Sequence, residues 1–480
     1  MPQVTRRHFF EQSLFAAAAA ATAAHTARGF AADAKPATDA SAAPSETLQH
    51  AVIGCRIRGK VHVAEFARVP GVQIAYVCDP DLDRTDEVAA LLTGDLKRPM
   101  PKKVQDLRVI CDDPSVDAVF IATPNHWHSL GGIWAMEAGK DAYVEKPVSQ
   151  NVAEGRRLVE VSRELGRICQ TGTQNRSRGP LAAAMQFIHE GKLGEVKLAR
   201  SIIYGGRGSI GGPVETPIPP RCDYNLWAGP APMTKLTRAR FHYDWHWMWD
   251  TGNGDNGNSN VLTWHLRAET AGTGPHGDLN SHSIDLARFL VGDIKSVAAM
   301  MTTFIKERPL PGAGAATFSA GSGESTEMGQ VTVDDASFMV AEFENGALGT
   351  FEASRFAPGR KNYNYFEIYG SEGSIVFNLE RMNELQLFLR NDPAYAQGFR
   401  TIIATEGGQH EYVANWWPPG HIIGYEHEFH HAVVDFMKAI ETGGEIRPNF
   451  YDGVKEVEVL QAGVQSAQSG QRVAIASLNS

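Results

Sequence analysis

The chain of 480 residues has little cysteine: five, at positions 55, 78, 111, 169 and 222, with no C-x-x-C pair among them. That excludes a disulfide framework and a zinc knuckle and leaves Cys55, Cys78, Cys111, Cys169 and Cys222 as buried thiols that act as small hydrophobes. An excess of positive charge is also missing. With 45 Lys and Arg against 55 Asp and Glu, the formal charge is -10 and the pI is near 5.9. Neither nucleic acid nor a membrane is therefore an expected partner, because backbone phosphates and anionic lipids are held by clustered cations. Long apolar runs are absent too, since the alanine-rich stretch from Leu14 to Ala24 is too short for a permanent bilayer span.

What is present is 43% hydrophobic residues at a mean hydropathy of -0.26, the balance of a globular protein long enough for two domains. The N-terminus "TRRHFFEQSLFAAAAAATAAHTA" sets Arg6 and Arg7 ahead of the apolar stretch, the layout of a twin-arginine export signal. Residues 1–47 are read as that signal and a disordered leader, cleaved near Ala27 or Ala34. The expected location is the periplasm, reached by a route that carries folded proteins and so suits one that acquires a cofactor in the cytoplasm.

From residue 48 to 172, short apolar runs alternate with helix-like segments. "AVIG", "QIAYVCD", "AVFIATP" and "DAYVEKP" read as buried parallel strands, and "RGKVHVAEFARV", "DRTDEVAALLT", "HSLGGIWAMEAG" and "NVAEGRRLVEVSRELG" as the helices between them. This is an α/β Rossmann domain. Its first turn, "IGCRIRGKVH", carries Gly54 and Gly59 but has Arg56 where the dinucleotide fingerprint has its middle glycine. Gly54 serves the tight turn and Gly59 the packing of helix on strand, with Arg56, Ile57 and Arg58 between them at the helix start. Asp79 closes the second strand 20 positions after Gly59, where an acidic residue holds ribose hydroxyls. A carboxylate there opposes a 2′-phosphate, so NAD is the expected cofactor, and Arg84 nearby keeps NADP as the second choice.

Later motifs add to this. "ATPNHWHSL" (122–130) ends a strand where cofactor contacts belong, and "YVEKPVSQN" (143–151) ends another in an E-K-P triplet. "QTGTQNRS" (170–177), "WAGPAP" (227–232), "HSIDLARFLVG" and "EIYGSEGSIVF" follow. Together they resemble the glucose-fructose oxidoreductase, inositol dehydrogenase and MocA (Gfo/Idh/MocA) family over residues 48 to 475. The resemblance implies an NAD(P)-dependent oxidoreductase acting on sugars, inositols or related polyols. It also implies a C-terminal α+β domain (173–480) on an open, mainly antiparallel sheet that makes a homo-oligomer, a dimer or tetramer. Catalysis then falls to Lys146 of the E-K-P triplet and to Asp278 and His282 of a D-x-x-x-H pair. Cofactor contacts are expected from Gly54, Arg56, Ile57, Arg58, Gly59, Asp79, Arg84, Thr123, Pro124, Asn125, His128, Glu145, Lys146, Gln174 and Asn175.

The chemistry of these residue types agrees. Hydride leaves a carbinol carbon only as the hydroxyl proton is lost, so a base must reach that oxygen and a cation beside it stabilises the developing alkoxide. At i and i+4 on one helix, Asp278 is expected to orient the His282 imidazole. On the same helix Asp285 and Arg288 are expected to form a structural ion pair. Asp255 in "WDTGNGDNGNSN" (249–260) is a reserve candidate, and "VLTWHLRAETAGT" is read either as an insertion that forms a loop at the substrate pocket or as a splice of two family variants. His421, His427, His430 and His431 in "GHIIGYEHEFHH" lack the ligand set of a zinc site and are read as a capped, polar helix start; no metal is expected.

Beyond the D-x-x-x-H helix the pattern becomes β-rich, with a hairpin at Asn345-Gly346, a flexible loop over 311–325 and a final helix over 451–470 that stops at Gly470. Two other functions stay open at this point: an NAD-dependent glycosidase or lyase that oxidises its sugar transiently, and a binding protein in which Arg56 has spoiled the cradle.

Overall fold

The computed structural model describes residues 47–205, 215–236, 240–247, 250–252, 273–311, 324–406, 410–414 and 416–475. The proposed export signal, Asp255 and the insertion after it lie outside the described residues.

Six parallel strands form the first sheet: β1 (Leu48–Ile53), β2 (Val72–Cys78), β3 (Lys102–Val104), β4 (Ala118–Ile121), β5 (Asp141–Glu145) and β6 (Cys169–Gly172), in the order β3-β2-β1-β4-β5-β6. They are linked by α1 (Ile57–Arg68), α2 (Leu82–Ala90), α3 (His128–Glu137) and α4 (Val152–Leu165). The order reverses between β1 and β4, which opens a crevice at the strands' C-terminal ends where doubly wound sheets take their ligands. The sequence missed β3, three residues long with two exposed lysines, so the E-K-P strand is fifth in the chain and not fourth.

After α5 (Gly179–His189) a second sheet of nine strands follows. Its members are β7 (Val196–Tyr204), β8 (Ile294–Thr302), β11 (Ala336–Phe343), β12 (Leu348–Ser354), β13 (Tyr363–Gly370), β14 (Gly373–Asn378), β15 (Glu384–Leu389), β16 (Arg400–Ile403) and β17 (Val473–Ala474). All pairings are antiparallel except β7 with β12. The Asn345-Gly346 hairpin joins β11 to β12, with Gly346 at φ +85°. The expected loop at 311–325 is flanked by a separate ribbon, β9 (Glu307–Pro311) and β10 (Glu324–Gln330), and residues 312–323 lie outside the described set.

One face of the second sheet packs on α5, α6 (Pro275–Leu290) and α8 (Phe450–Ser469), burying Phe351, Phe343 and Ile368. On the other face Leu198, Met300, Phe338, Val340 and Leu348 stay exposed. Helix α8 ends at Gly470 in the left-handed conformation, as the sequence predicts. Helices from the chain's end also cover the first sheet: α7 (His427–Thr442) packs Val433 and Phe436 beside α1, and the start of α8 places Phe450 and Val454 on the opposite face. No helix of the described residues is long and apolar enough to cross a membrane.

Candidate active site and cofactor cavity

The first turn after β1 is built around its two glycines. Gly54 has φ +93°, and a Cβ on it would lie 2.5 Å from the Ala122 carbonyl oxygen. A Cβ on Gly59 would lie 1.9 Å from the Gly54 carbonyl oxygen, so α1 meets the turn at a distance only glycine allows. Arg56 takes the position before the first residue of α1 at φ -97°, with no side chain capping the helix. The open first-turn amides of such a helix are anion donors. The Arg56 side chain is exposed on the rim, and Ile57 is exposed beside it.

This turn borders a cavity of about 420 Å3, whose other walls include Asp79, Pro80, Gln105, Thr123, Pro124 and Trp127. Buried Asp79 accepts from the Cys55 amide with Oδ2 and from the Asp81 amide with Oδ1, both at 2.9 Å. Burial raises its pKa, and those two hydrogen bonds pull the other way. The turn, the uncapped helix start and the acidic residue at the second strand's end fit a dinucleotide.

Several expected cofactor contacts have other duties. Arg84 does not line the cavity; it is held by Glu87 and lies 3.7 Å from Asp81. His128 is buried as a clip, Nδ1 2.7 Å from the Pro147 carbonyl and Nε2 2.9 Å from that of Thr123, and so fixes two strand ends. Asn125 is buried, its amide donating to the Thr251 carbonyl at 2.9 Å. Gln174 donates to the Tyr425 hydroxyl at 2.9 Å. Glu145 accepts from His62 Nε2 at 3.0 Å. Burial pulls the Glu145 carboxyl up, but the His62 hydrogen bond and the Arg58 charge outweigh it and leave it below the ordinary value. Arg58 lies over the Phe429 ring, 4.7 Å from its centre.

Lys146 follows Glu145 across a cis bond to Pro147. Its Nζ lies 3.3 Å from Asp278 Oδ1, and Asp278 Oδ2 accepts from Arg355 at 2.6 Å. The expected Asp278–His282 orientation is thus corrected: those contacts of the carboxylate go to two cations, while His282 Nδ1 faces the Asn175 amide at 3.5 Å. Burial, then the Lys146 charge, push His282 down to about 3, with Asp278 pulling the other way, so the imidazole is neutral at ordinary pH. The expected Asp285–Arg288 pair is corrected as well. Asp285 binds Arg176 at 2.7 Å in a buried pair linking α6 to the turn after β6, and Arg288 binds the half-exposed Asp293 at 2.7 Å. Arg176 lies 109 positions before Asp285, which local spacing cannot foresee, whereas Asp293 lies only five positions beyond Arg288, just past the end of α6.

The histidines of α7 form no metal set. His427 begins the helix, but no side chain caps it; His430 pairs with Glu65 at 3.0 Å, and His431 lies between the Ser177 carbonyl and Trp416 Nε1. Among the described residues no three His, Cys, Asp or Glu side chains converge to hold a metal. All five cysteines are free; Cys55, Cys78 and Cys169 are buried, and Cys111 and Cys222 are partly so. Sequence reasoning missed Arg355, Tyr425 and His62, which no local motif marks.

Two family models match, one described as an oxidoreductase family, NAD-binding Rossmann fold, over residues 48–173 and one as a GFO/IDH/MocA C-terminal domain over 234–376. The chain belongs to the Gfo/Idh/MocA family. As a member it is an NAD-binding oxidoreductase and not merely a binding protein on the same fold. Levoglucosan dehydrogenase of Pseudarthrobacter phenanthrenivorans is 32% identical over 88% of this chain and 96% of its own. The NAD(+)-dependent scyllo-inositol 2-dehydrogenase of Bacillus subtilis is 27% identical over 69% of this chain and 74% of its own. A solved levoglucosan dehydrogenase in complex with NADH and L-sorbose superimposes at a TM-score of 0.69, with 30% identity, over 90% of this chain and 100% of that one.

Proposed function

We propose that the protein oxidises a CH–OH group of a sugar, an anhydrosugar or a related cyclic polyol with NAD as hydride acceptor. The carrying observation is the placement of Lys146 on Asp278, with His282 beside it, just past the end of β5, the neighbour of β4, whose following residues Ala122–Pro124 line the nucleotide cavity. The bound nicotinamide supplies the hydride acceptor; the protein handles the proton. Lys146 polarises the substrate hydroxyl and stabilises its oxygen as the proton leaves. Neutral His282 takes that proton, and Asn175 fixes its Nδ1 side. Asp278, held from behind by Arg355, keeps Lys146 in place. Gly54, Gly59, the start of α1 and Asp79 hold the dinucleotide, with Asp79 disfavouring a 2′-phosphate and Arg84 engaged elsewhere.

The exposed apolar face of the second sheet is the contact between subunits in this reading. Met300 lies opposite Phe338 and Leu348 opposite Leu198 in register, two exposed apolar pairs on that face with the Arg200–Glu352 ion pair between them. The paired arginines at the N-terminus support export of the folded, cofactor-loaded protein to the periplasm. The test is an assay of the purified protein with NAD against levoglucosan, scyllo-inositol and a panel of aldoses and polyols, following reduced nicotinamide and the ketone product together. Ketone and NADH in equal amounts support the reading. Cleaved or eliminated sugar without net NADH replaces it with the glycosidase or lyase reaction.

A further inference from the structure

We propose that the described residues 219–236 and 240–247 act as a strap that retains the bound dinucleotide, and that its outer end, latched by His242 on Asp81, is the gate through which the cofactor exchanges. The strap comes after β7 in the chain, and its described residues contact Pro80, Asp81 and Leu82 beyond the end of β2 in the first sheet. Its described parts supply Leu226, Trp227, His242, Tyr243, Trp245 and His246 to the cavity, opposite Gly54 and Asp79. A ligand in the cavity therefore has the strap as one wall.

The strap is a body with a small core of its own. Trp227, Ala228, Leu236 and Phe241 are buried together, and Tyr224 stacks on Trp227 at 5.6 Å and 8°. Its two ends are fastened differently. At the inner end Trp127 Nε1 donates to the carbonyls of Leu226 (3.2 Å) and Trp227 (3.1 Å), and His126 Nε2 lies 3.0 Å from the same Trp227 oxygen. Gly229 presses so closely on Trp127 that a Cβ would lie 2.2 Å from the indole. Several hydrogen bonds on adjacent carbonyls and a contact this close do not open readily.

At the outer end the Leu82 amide donates to the Arg221 carbonyl at 3.2 Å and the Asp223 amide to the Pro80 carbonyl at 2.9 Å. Arg221 also reaches Asp83 (2.8 Å) and Asp86 (2.7 Å), but all three side chains are well exposed, and such pairs hold weakly and screen with salt. The firm contact is His242 Nε2 with the buried Asp81 Oδ2 at 2.6 Å. Asp81 in turn donates its amide to Asp79, so the latch sits directly behind the residue assigned to the ribose. With Trp127 and His126 gripping one end and the single His242–Asp81 side-chain pair as the firmest side-chain contact at the other, the strap is placed to swing from Trp127 and release the dinucleotide past Asp79.

The test is stopped-flow binding and release of NADH by the full enzyme, read as nicotinamide emission excited through the tryptophans that line the cavity. A gate sets both rates, whereas a wall contact sets only release. His242→Ala is expected to raise the dissociation rate about tenfold and to raise the association rate as well, since loss of one charge-assisted hydrogen bond is worth about that factor. Arg221→Ala, on an exposed side chain, is expected to raise both rates by a smaller factor that vanishes at high salt. A faster release with unchanged association in His242→Ala, or unchanged rates in both variants, would overturn the proposal.

Discussion

Asp278 stands between two cations, Lys146 on Oδ1 at 3.3 Å and Arg355 on Oδ2 at 2.6 Å, and Arg355 also donates to the Gly205 carbonyl at 3.1 Å. A carboxylate pinned from behind presents its other oxygen, and hence Lys146, at a fixed place. Arg355→Lys keeps the charge but loses the fork that reaches both acceptors. Its kcat is expected to fall about tenfold, and that of Asp278→Asn about 10²-fold, as small misplacements at a reacting centre do. The Kd for NAD, measured by calorimetry, is expected to stay within a few-fold in both. A large loss of NAD affinity with kcat intact would assign these residues to the cofactor instead.

Gly59→Ala places a methyl 1.9 Å from a backbone oxygen that cannot move without unmaking the turn, whereas a Cβ on Gly94 meets nothing within 4 Å. Urea unfolding is expected to show a loss of about 3 kcal/mol or more for Gly59→Ala and a change within about 0.5 kcal/mol for Gly94→Ala. Equal stability of the two would contradict the close approach.

His50 is fully buried, packed on Phe66 at 4.0 Å, and burial, then the neighbouring His62, push its pKa down to about 3. The unfolded chain takes up a proton here as pH falls below about 6.5 and the folded chain does not, so stability is lost on acidification. Between pH 8 and pH 5 this one group costs about 2 kcal/mol. His50→Leu is expected to remove that part of the decline, measured as the difference in unfolding free energy between the two pH values. A decline identical to the parent's would refute the assignment.

Arg56 sits on the rim with an exposed side chain and a negative φ of -97°, which any residue can adopt. Its effect is confined to the ligand. Arg56→Gly is expected to tighten NAD moderately in a calorimetric titration if the Cβ holds the pyrophosphate off. Weaker binding by both Arg56→Gly and Arg56→Ala, more so at low salt, would instead show that the guanidinium pairs with a phosphate.

The alternation of strand and helix in the first domain was legible because strands such as Ala118–Ile121 are buried on both faces and read as unbroken apolar runs. Lys102–Val104 was not, being short and charged at the sheet edge. That α7 and α8 return to cover the first sheet had no local sign either, because an amphipathic pattern announces a buried face and not its partner. At the site, Lys146, Asp278 and His282 were legible through their motifs, and the structure brings them together. Their supports were not: Arg355 is 77 positions from Asp278, and Asp285 binds Arg176 109 positions away, distances over which no periodicity reports. The clip made by His128 was not legible for a related reason, since a histidine at a strand end looks the same whether it faces a ligand or ties strand ends together.

The central claim is that Lys146 acts at the reacting oxygen and not in holding the cofactor. Its direct measurement is a single turnover of the NAD-loaded protein with the best substrate of the panel, following nicotinamide absorbance, for the parent and for Lys146→Met. The expected rate is about 10²–10⁴-fold lower in the variant, with NAD affinity within a few-fold of the parent's. A variant that reduces its bound NAD within a few-fold of the parent's rate would contradict it.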